Sequence, residues 1–162
     1  QVSIIDEDCN VLLNTYCRPN NKDSWQDAQR VHGITPLMVA NELPFERYVS
    51  TVLEILNKAD YVIAYNYAFE DSFLRAYGIE VDRKKWFDPM LAFAEIYGEW
   101  DSYHGNYKWQ NLTKCAKYYG YEFKAHDSLE DVKATLHCYK KMTEEAERRV
   151  QNVDTSDNGK MV

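Results

Sequence analysis

Two short segments gather acidic side chains beside groups that could move a proton. The first is Tyr65-Asn66-Tyr67-Ala68-Phe69-Glu70-Asp71-Ser72-Phe73-Leu74, where an apolar run ends and a helical pattern carrying Glu70 and Asp71 begins. The second is His126-Asp127-Ser128-Leu129-Glu130-Asp131. Carboxylates hold hard cations such as Mg²⁺ or Mn²⁺ through oxygen. Two such ions about 3.5–4 Å apart can activate a water and stabilise a leaving oxygen. A histidine, which titrates near neutral pH, suits the removal of a proton from that water. His126 and Asp131 are five positions apart, so they would point different ways on one continuous helix. With His126 in the preceding loop, its ring can fold back over the site that Asp131 faces.

These groups need a frame to position them. Val2 to Asp6 is a short β-branched run, Asp6-Glu7-Asp8-Cys9-Asn10 is turn chemistry, and Val11 to Cys17 returns as a second strand, so a β-hairpin opens the chain. Trp25 to His32 reads as a helix stopped by Gly33, and Thr35-Pro36 starts another with a cap and a proline in its first turn. Phe45, Tyr48, Val49, Val52, Leu53 and Leu56 mark one amphipathic helix from Pro44 to Ala59. Tyr61 to Tyr65 reads as a buried strand, and Phe69 to Tyr77 as a helix closed by Gly78. Trp86-Phe87 is a short strand, Asp88-Pro89 opens a helix to Tyr97, and Gly98 to Tyr107 reads as a polar, aromatic loop. Leu112 to Tyr119 is helical, with Gly120 as its stop. The last helix starts near Ser128 behind the Asp-x-x-Glu box of Asp127 and Glu130. Strands alternating with helices after an opening hairpin predict an α/β domain with a mixed sheet. Residues 1–147 form one domain on this reading, and 148–162 a polar tail expected to be disordered.

Simpler roles compete for most of these side chains. From spacing alone, Glu70 or Asp71 reads as an exposed helix charge sooner than as a ligand, and Asp127 and Glu130 are better explained as caps. His32 reads as a helix-end histidine, Asp88 as an N-cap and the Tyr118-Tyr119 pair as packing. The end of a central strand in an α/β sheet is nonetheless where ligand sites form, which favours the Asn66 turn.

Composition narrows the class of protein. The chain has 162 residues, 45% hydrophobic and 28% charged, which suits one globular domain and excludes wholesale disorder. No apolar run approaches the length of a membrane span. The formal charge of −7 argues against coating nucleic acid by bulk electrostatics, but leaves room for brief contact through a carboxylate-held metal. The four cysteines show no metal-ligand spacing, which fits reduced thiols in a cytoplasmic protein.

Three blocks in order carry a resemblance: Val31-His32-Gly33-Ile34-Thr35, then Tyr65-Asn66-x-x-Phe69-Glu70-x-x-Phe73-Leu74, then His126-x-Ser128-Leu129-x-Asp131 followed by Thr135. Together they resemble the DEDDh exonucleases, the family of the proofreading epsilon subunit of DNA polymerase III, up to about Met142. The resemblance implies a ribonuclease-H-like mixed sheet flanked by helices. It also implies two-metal, Mg²⁺- or Mn²⁺-dependent removal of nucleotides from the 3′ end of DNA or RNA. The metal ligands would include Glu70 and Asp131, with His126 as general base. Asn66, His32, Gly33, Ile34 and Phe73 would lie along the cleft that takes a single-stranded end. A DNA polymerase or another replication or repair protein would be a natural partner.

The sequence departs from the family pattern twice. The middle ligand is usually Asp, and here Glu70 occupies the position with Asp71 beside it. The family opens with a central strand bearing Asp-x-Glu, whereas Val2 to Asp6 matches its second strand. The expectation is therefore a truncated chain that lacks its first, central strand, exposes strand edges and binds metals poorly. Two other activities compete with this one: a catalytically inactive nucleic-acid or protein interaction module on the same fold, and a metal-dependent phosphodiesterase acting on small nucleotides.

Overall fold

The computed structural model describes residues 1–157. Strands β1 (Val2–Ile5) and β2 (Val11–Thr15) pair antiparallel, with Val2 opposite Thr15 and Ile4 opposite Leu13. Their turn is built by Asp6, whose carboxylate accepts from the amides of Asp8 (2.9 Å) and Asn10 (2.8 Å) and from the Asn10 side chain (2.8 Å). Helix α1 (Gln26–His32) ends at Gly33, whose φ of 75° lets its amide bond back to Gln29. Thr35 caps the single turn α2 (Pro36–Val39) by accepting from the Met38 amide.

The amphipathic stretch after Pro44 is not one helix. A 3₁₀ turn (Phe45–Arg47) and α3 (Val49–Lys58) meet at Tyr48, whose φ of −103° breaks the regular geometry. Strand β3 (Val62–Ile63) pairs parallel with β4 (Trp86–Phe87), in register Val62 to Trp86 and Ile63 to Phe87. Between them run α4 (Tyr67–Ala76) and a 3₁₀ turn (Arg83–Lys85). Helix α5 (Pro89–Tyr97) follows β4, capped by Asp88.

The segment expected as an aromatic loop folds as a small hairpin, β5 (Trp100–Asp101) with β6 (Asn106–Tyr107). Two-residue strands are too short to show alternation, so local pattern could not reveal them. Then come α6 (Leu112–Tyr118) and α7 (Ser128–Asp157). Helix α7 continues ten residues beyond the expected domain end at 147. The Lys141–Glu144 and Glu144–Arg148 ion pairs carry helical geometry across that boundary. The remainder of the expected polar tail, 158–162, lies outside the described residues.

The architecture is mixed α/β, with seven α-helices among the described residues and three separate two-stranded sheets. This accords with a mixed sheet lacking its central strand, as expected from sequence: no described strand bridges β1 and β3. Both pairs nevertheless share one core. Phe45, Val52, Ile79 and Val81 are buried, and Val2, Ile4 and Leu13 from the hairpin pack on them together with Val62 and Trp86 from the parallel pair. A second cluster of Phe93, Cys115, Ala116, Ala134, Cys138 and Met142 locks α5, α6 and α7 together. Burial of an aromatic or large aliphatic side chain contributes roughly 1.5–3 kcal/mol, so these two clusters, rather than a continuous ladder, hold the strands in place. No helix among the described residues is long and apolar enough to cross a membrane.

Candidate active site

The parallel pairing of β3 with β4 brings the chain beyond Ile63 beside the chain beyond Phe87. Ala64 continues the contact by donating to the Phe87 carbonyl (3.2 Å). The backbone then turns at Asn66 in the left-handed region (φ 67°, ψ 57°), a conformation that asparagine tolerates better than most residues. Asn66 does not cap α4 with its own side chain. Instead Asp88 reaches across: its Oδ1 accepts from the Asn66 amide (3.0 Å) and its Oδ2 from the Tyr67 amide (3.1 Å). Asp88 Oδ1 also accepts from Met90 N (2.9 Å), so one carboxylate starts two helices. The capping of α5 was legible from Asp88-Pro89, but the bonds to Asn66 and Tyr67 were not, because they span 21 and 22 residues.

Glu70 sits one turn into α4. Its Oε2 is buried and has no hydrogen-bond partner. Burial pushes the carboxyl up to about 7; its own backbone amide opposes that rise, and the Asp88 carboxylate adds to it. Glu70 is therefore poised near half-ionisation at neutral pH. Asp71 belongs to another stripe of the helix. Its Oδ2 accepts from Arg75 Nε (2.7 Å), while its Oδ1 is buried without a partner. Phe73 packs its ring on Phe45 (4.8 Å between centroids) and Tyr77 (5.1 Å), which ties it to the core around β1 and β3.

The other half of the site begins at the start of α7. Asp127 caps the helix, accepting at Oδ1 from Leu129 (3.1 Å) and Glu130 (3.4 Å). Glu130 does not complete the capping box; it turns to Lys133 (2.9 Å). His126 adopts φ 69° in the preceding turn, and its amide donates to Asp131 Oδ1 (3.1 Å). The loop thus meets the aspartate through its backbone amide, and the His126 residue is exposed. Asp131 is half-buried, and burial raises its pKa. The His126 amide and charge oppose that rise, and Asp127 and Glu130 add to it. Buried Thr135 fixes the same turn by donating to the Asp131 carbonyl (2.8 Å).

His126 and Asp131 are brought together, and Glu70 is brought to Asp88. Among the described residues, however, no three His, Cys, Asp or Glu side chains converge as a metal cage. The donor chemistry of Glu70 and Asp131 suits a hard cation, and the orphaned Glu70 oxygen is a ligand in search of a positive charge. The residues present do not by themselves make a closed two-ion site. Asp6-Glu7-Asp8 does not fill that role, since Asp6 spends both carboxylate oxygens on the hairpin turn. The Val31–Thr35 block is pinned by its own bonds. The Ile34 amide donates to His32 Nδ1 (3.0 Å), and the Ile34 carbonyl accepts from Trp25 Nε1 (2.8 Å).

The α/β frame thus holds partly desolvated carboxylates just beyond a strand end and at a helix start. The model of the exonuclease family (RNase_T) matches residues 2–139, most of the chain. The chain belongs to this exonuclease family, to which the DEDDh resemblance points. No curated protein and no solved structure matches it.

Proposed function

We propose that this chain is the body of a divalent-cation-dependent 3′-to-5′ exonuclease that removes nucleotides from a single-stranded DNA or RNA end. The observation that carries the activity is the family match over residues 2–139. The assignment of roles is supported by two carboxylates held partly out of water, each with its pKa raised by burial.

When bound, divalent cations would activate the attacking water and neutralise charge at the phosphate, with Glu70 and Asp131 among the carboxylates that hold them. Glu70 is preferred to Asp71 because Asp71 already has Arg75 as its counter-ion. His126 takes a proton during hydrolysis. Its backbone is set by the amide bond to Asp131, which leaves the imidazole to swing over the site. Asn66 and the His32-Gly33-Ile34 turn line the path of the strand, with Ile34 against the terminal base. The free thiols of Cys9, Cys17, Cys115 and Cys138 suit a reducing, cytoplasmic setting. A polymerase or another replication or repair protein is the partner class that this activity serves.

The test incubates a 5′-labelled single-stranded oligonucleotide with the protein in Mn²⁺, in Mg²⁺ and in EDTA. A ladder that shortens from the 3′ end only with a cation is expected. His126→Gly keeps the left-handed turn and removes the ring, so turnover should fall by about 10²–10⁴-fold with folding retained. Shortening from the 5′ end, or undiminished turnover in EDTA, would overturn the reading. Full activity in His126→Gly would remove that residue from the mechanism.

A further inference from the structure

We propose that the hairpin β5–β6 and the segment leading to α6 form a stacking platform for single-stranded nucleic acid on its way to the candidate active site. The proposal deepens the exonuclease reading and rests on it for the identity of the ligand.

The rings here are exposed although the fold makes no use of them. Tyr103 is 89% exposed, Trp109 63% and Trp100 56%, and none belongs to either core cluster. Each presents a flat π-face, the feature on which bases stack whatever their sequence. Two of these rings, Trp100 and Tyr103, also meet a neighbouring ring. Trp100 meets Tyr107 edge-on (5.2 Å, 84°), and Tyr103 meets His104 in the same way (4.8 Å, 84°). Asp101 anchors the turn by accepting from Tyr103 N (2.9 Å), His104 N (3.2 Å) and the His104 ring (2.9 Å). Glu99 ties the base of the hairpin to Lys108 (2.9 Å) and Gln110 (3.2 Å). Pre-ordered rings lose little freedom when a base settles on them.

The local charge is opposite to that of the whole protein. Residues 97–118 contain Lys108, Lys114 and Lys117 against only Glu99 and Asp101, in a chain whose formal charge is −7. Both carboxylates are already engaged, Glu99 by Lys108 and Lys114 and Asp101 by the turn. Lys114 also lies over the Tyr97 ring at 4.1 Å, so cation and aromatic faces alternate on this surface. Exposed rings to stack bases, with Lys117 outside the Glu99 pairs to meet a phosphate, suit a single strand better than an apolar protein surface.

The position fits as well. Tyr65, the residue before Asn66, donates its hydroxyl to the carbonyl of Gln110 (2.9 Å), the residue after Trp109. The platform is thereby tied to the strand end that carries the Asn66 turn. Helix α5 makes the second link, running nine residues from Asp88 to the base of the hairpin, about 13 Å.

The experiment measures binding of a fluorescent oligothymidylate about a dozen nucleotides long by anisotropy, in EDTA so that nothing is cleaved. Wild-type protein is compared with Trp100→Ala, Tyr103→Ala and Trp109→Ala, and with Trp100→Phe and Trp109→Phe. Each alanine variant should weaken binding roughly tenfold, and each phenylalanine variant should retain most of it. Circular dichroism should be unchanged, because these side chains pack on nothing buried. Binding that ignores all three alanine changes, or that falls only with Lys108→Ala and Lys114→Ala, would overturn the platform. So would self-association of the wild-type chain in sedimentation that Trp109→Ala abolishes, since the surface would then serve a second copy. Ring-dependent binding without cation-dependent cleavage would leave the platform standing and overturn the exonuclease reading. Cleavage with ring-independent binding would do the reverse.

Discussion

Replacing Glu70 with glutamine removes an ionisation that the fold opposes, and its effect on stability should depend on pH in a defined way. The Glu70 carboxyl has an ordinary value of 4.5 and is pushed up to about 7 in the folded chain, chiefly by burial. Below about pH 4.5 the group is neutral in both the folded and unfolded states and costs nothing. Between there and about pH 7 the unfolded chain releases the proton while the folded chain keeps it, so stability falls as pH rises. Above about pH 7 both forms are ionised and the cost is constant. At about 1.4 kcal/mol per pH unit the full difference would be roughly 3 kcal/mol. The side chain is partly solvated, so about 2 kcal/mol is the working figure. The assay is urea denaturation in EDTA of wild type and Glu70→Gln at pH 5 and pH 8. The variant should match wild type within about 0.5 kcal/mol at pH 5 and exceed it by about 2 kcal/mol at pH 8. Equal differences at the two pH values would refute the claim that burial, rather than shape, sets the behaviour of this carboxylate.

Two further outcomes follow from the same geometry. Asp88→Ala strips acceptors from the amides of Asn66, Tyr67 and Met90 at once, and should cost about 2–3 kcal/mol in denaturant titration. Asp88→Asn should cost less, and should lower the Glu70 titration, followed by NMR, only slightly, because burial is the main cause of its rise. Phe93→Ala empties the centre of the cluster that locks α5, α6 and α7, and should cost about 3–5 kcal/mol. A loss under about 1 kcal/mol would mean that this core is not packed as described.

Local punctuation was readable without coordinates. Asp6 and Asn10 announced the hairpin turn, Gly33 and Gly78 the chain reversals, and Thr35-Pro36 and Asp88-Pro89 the helix starts. In each case the bonds involved span only a few residues. The loop before α7 was legible for the same reason, but its bond to Asp131 comes from the His126 backbone amide, which the spacing did not reveal. The hairpin β5–β6 was missed because strands of two residues leave no alternating pattern to read. The gap between β1 and β3 accords with the expected lack of the central Asp-x-Glu strand, whereas the pairing of β3 with β4 was not legible, because hydrophobic runs show that a strand is buried and not which strand lies beside it.

The amino-acid order alone determined where elements begin and end and which carboxylates could do chemistry, because capping, turn formation and periodicity act within one or two turns of chain. Tertiary structure decided what those carboxylates become. Only the parallel register of β3 and β4 puts Asp88 against the Asn66 turn and encloses Glu70. Only the folded surroundings of α7 draw Asp131 partly out of water. Desolvation depends on neighbours that are distant in sequence, so no reading along the chain could have supplied it.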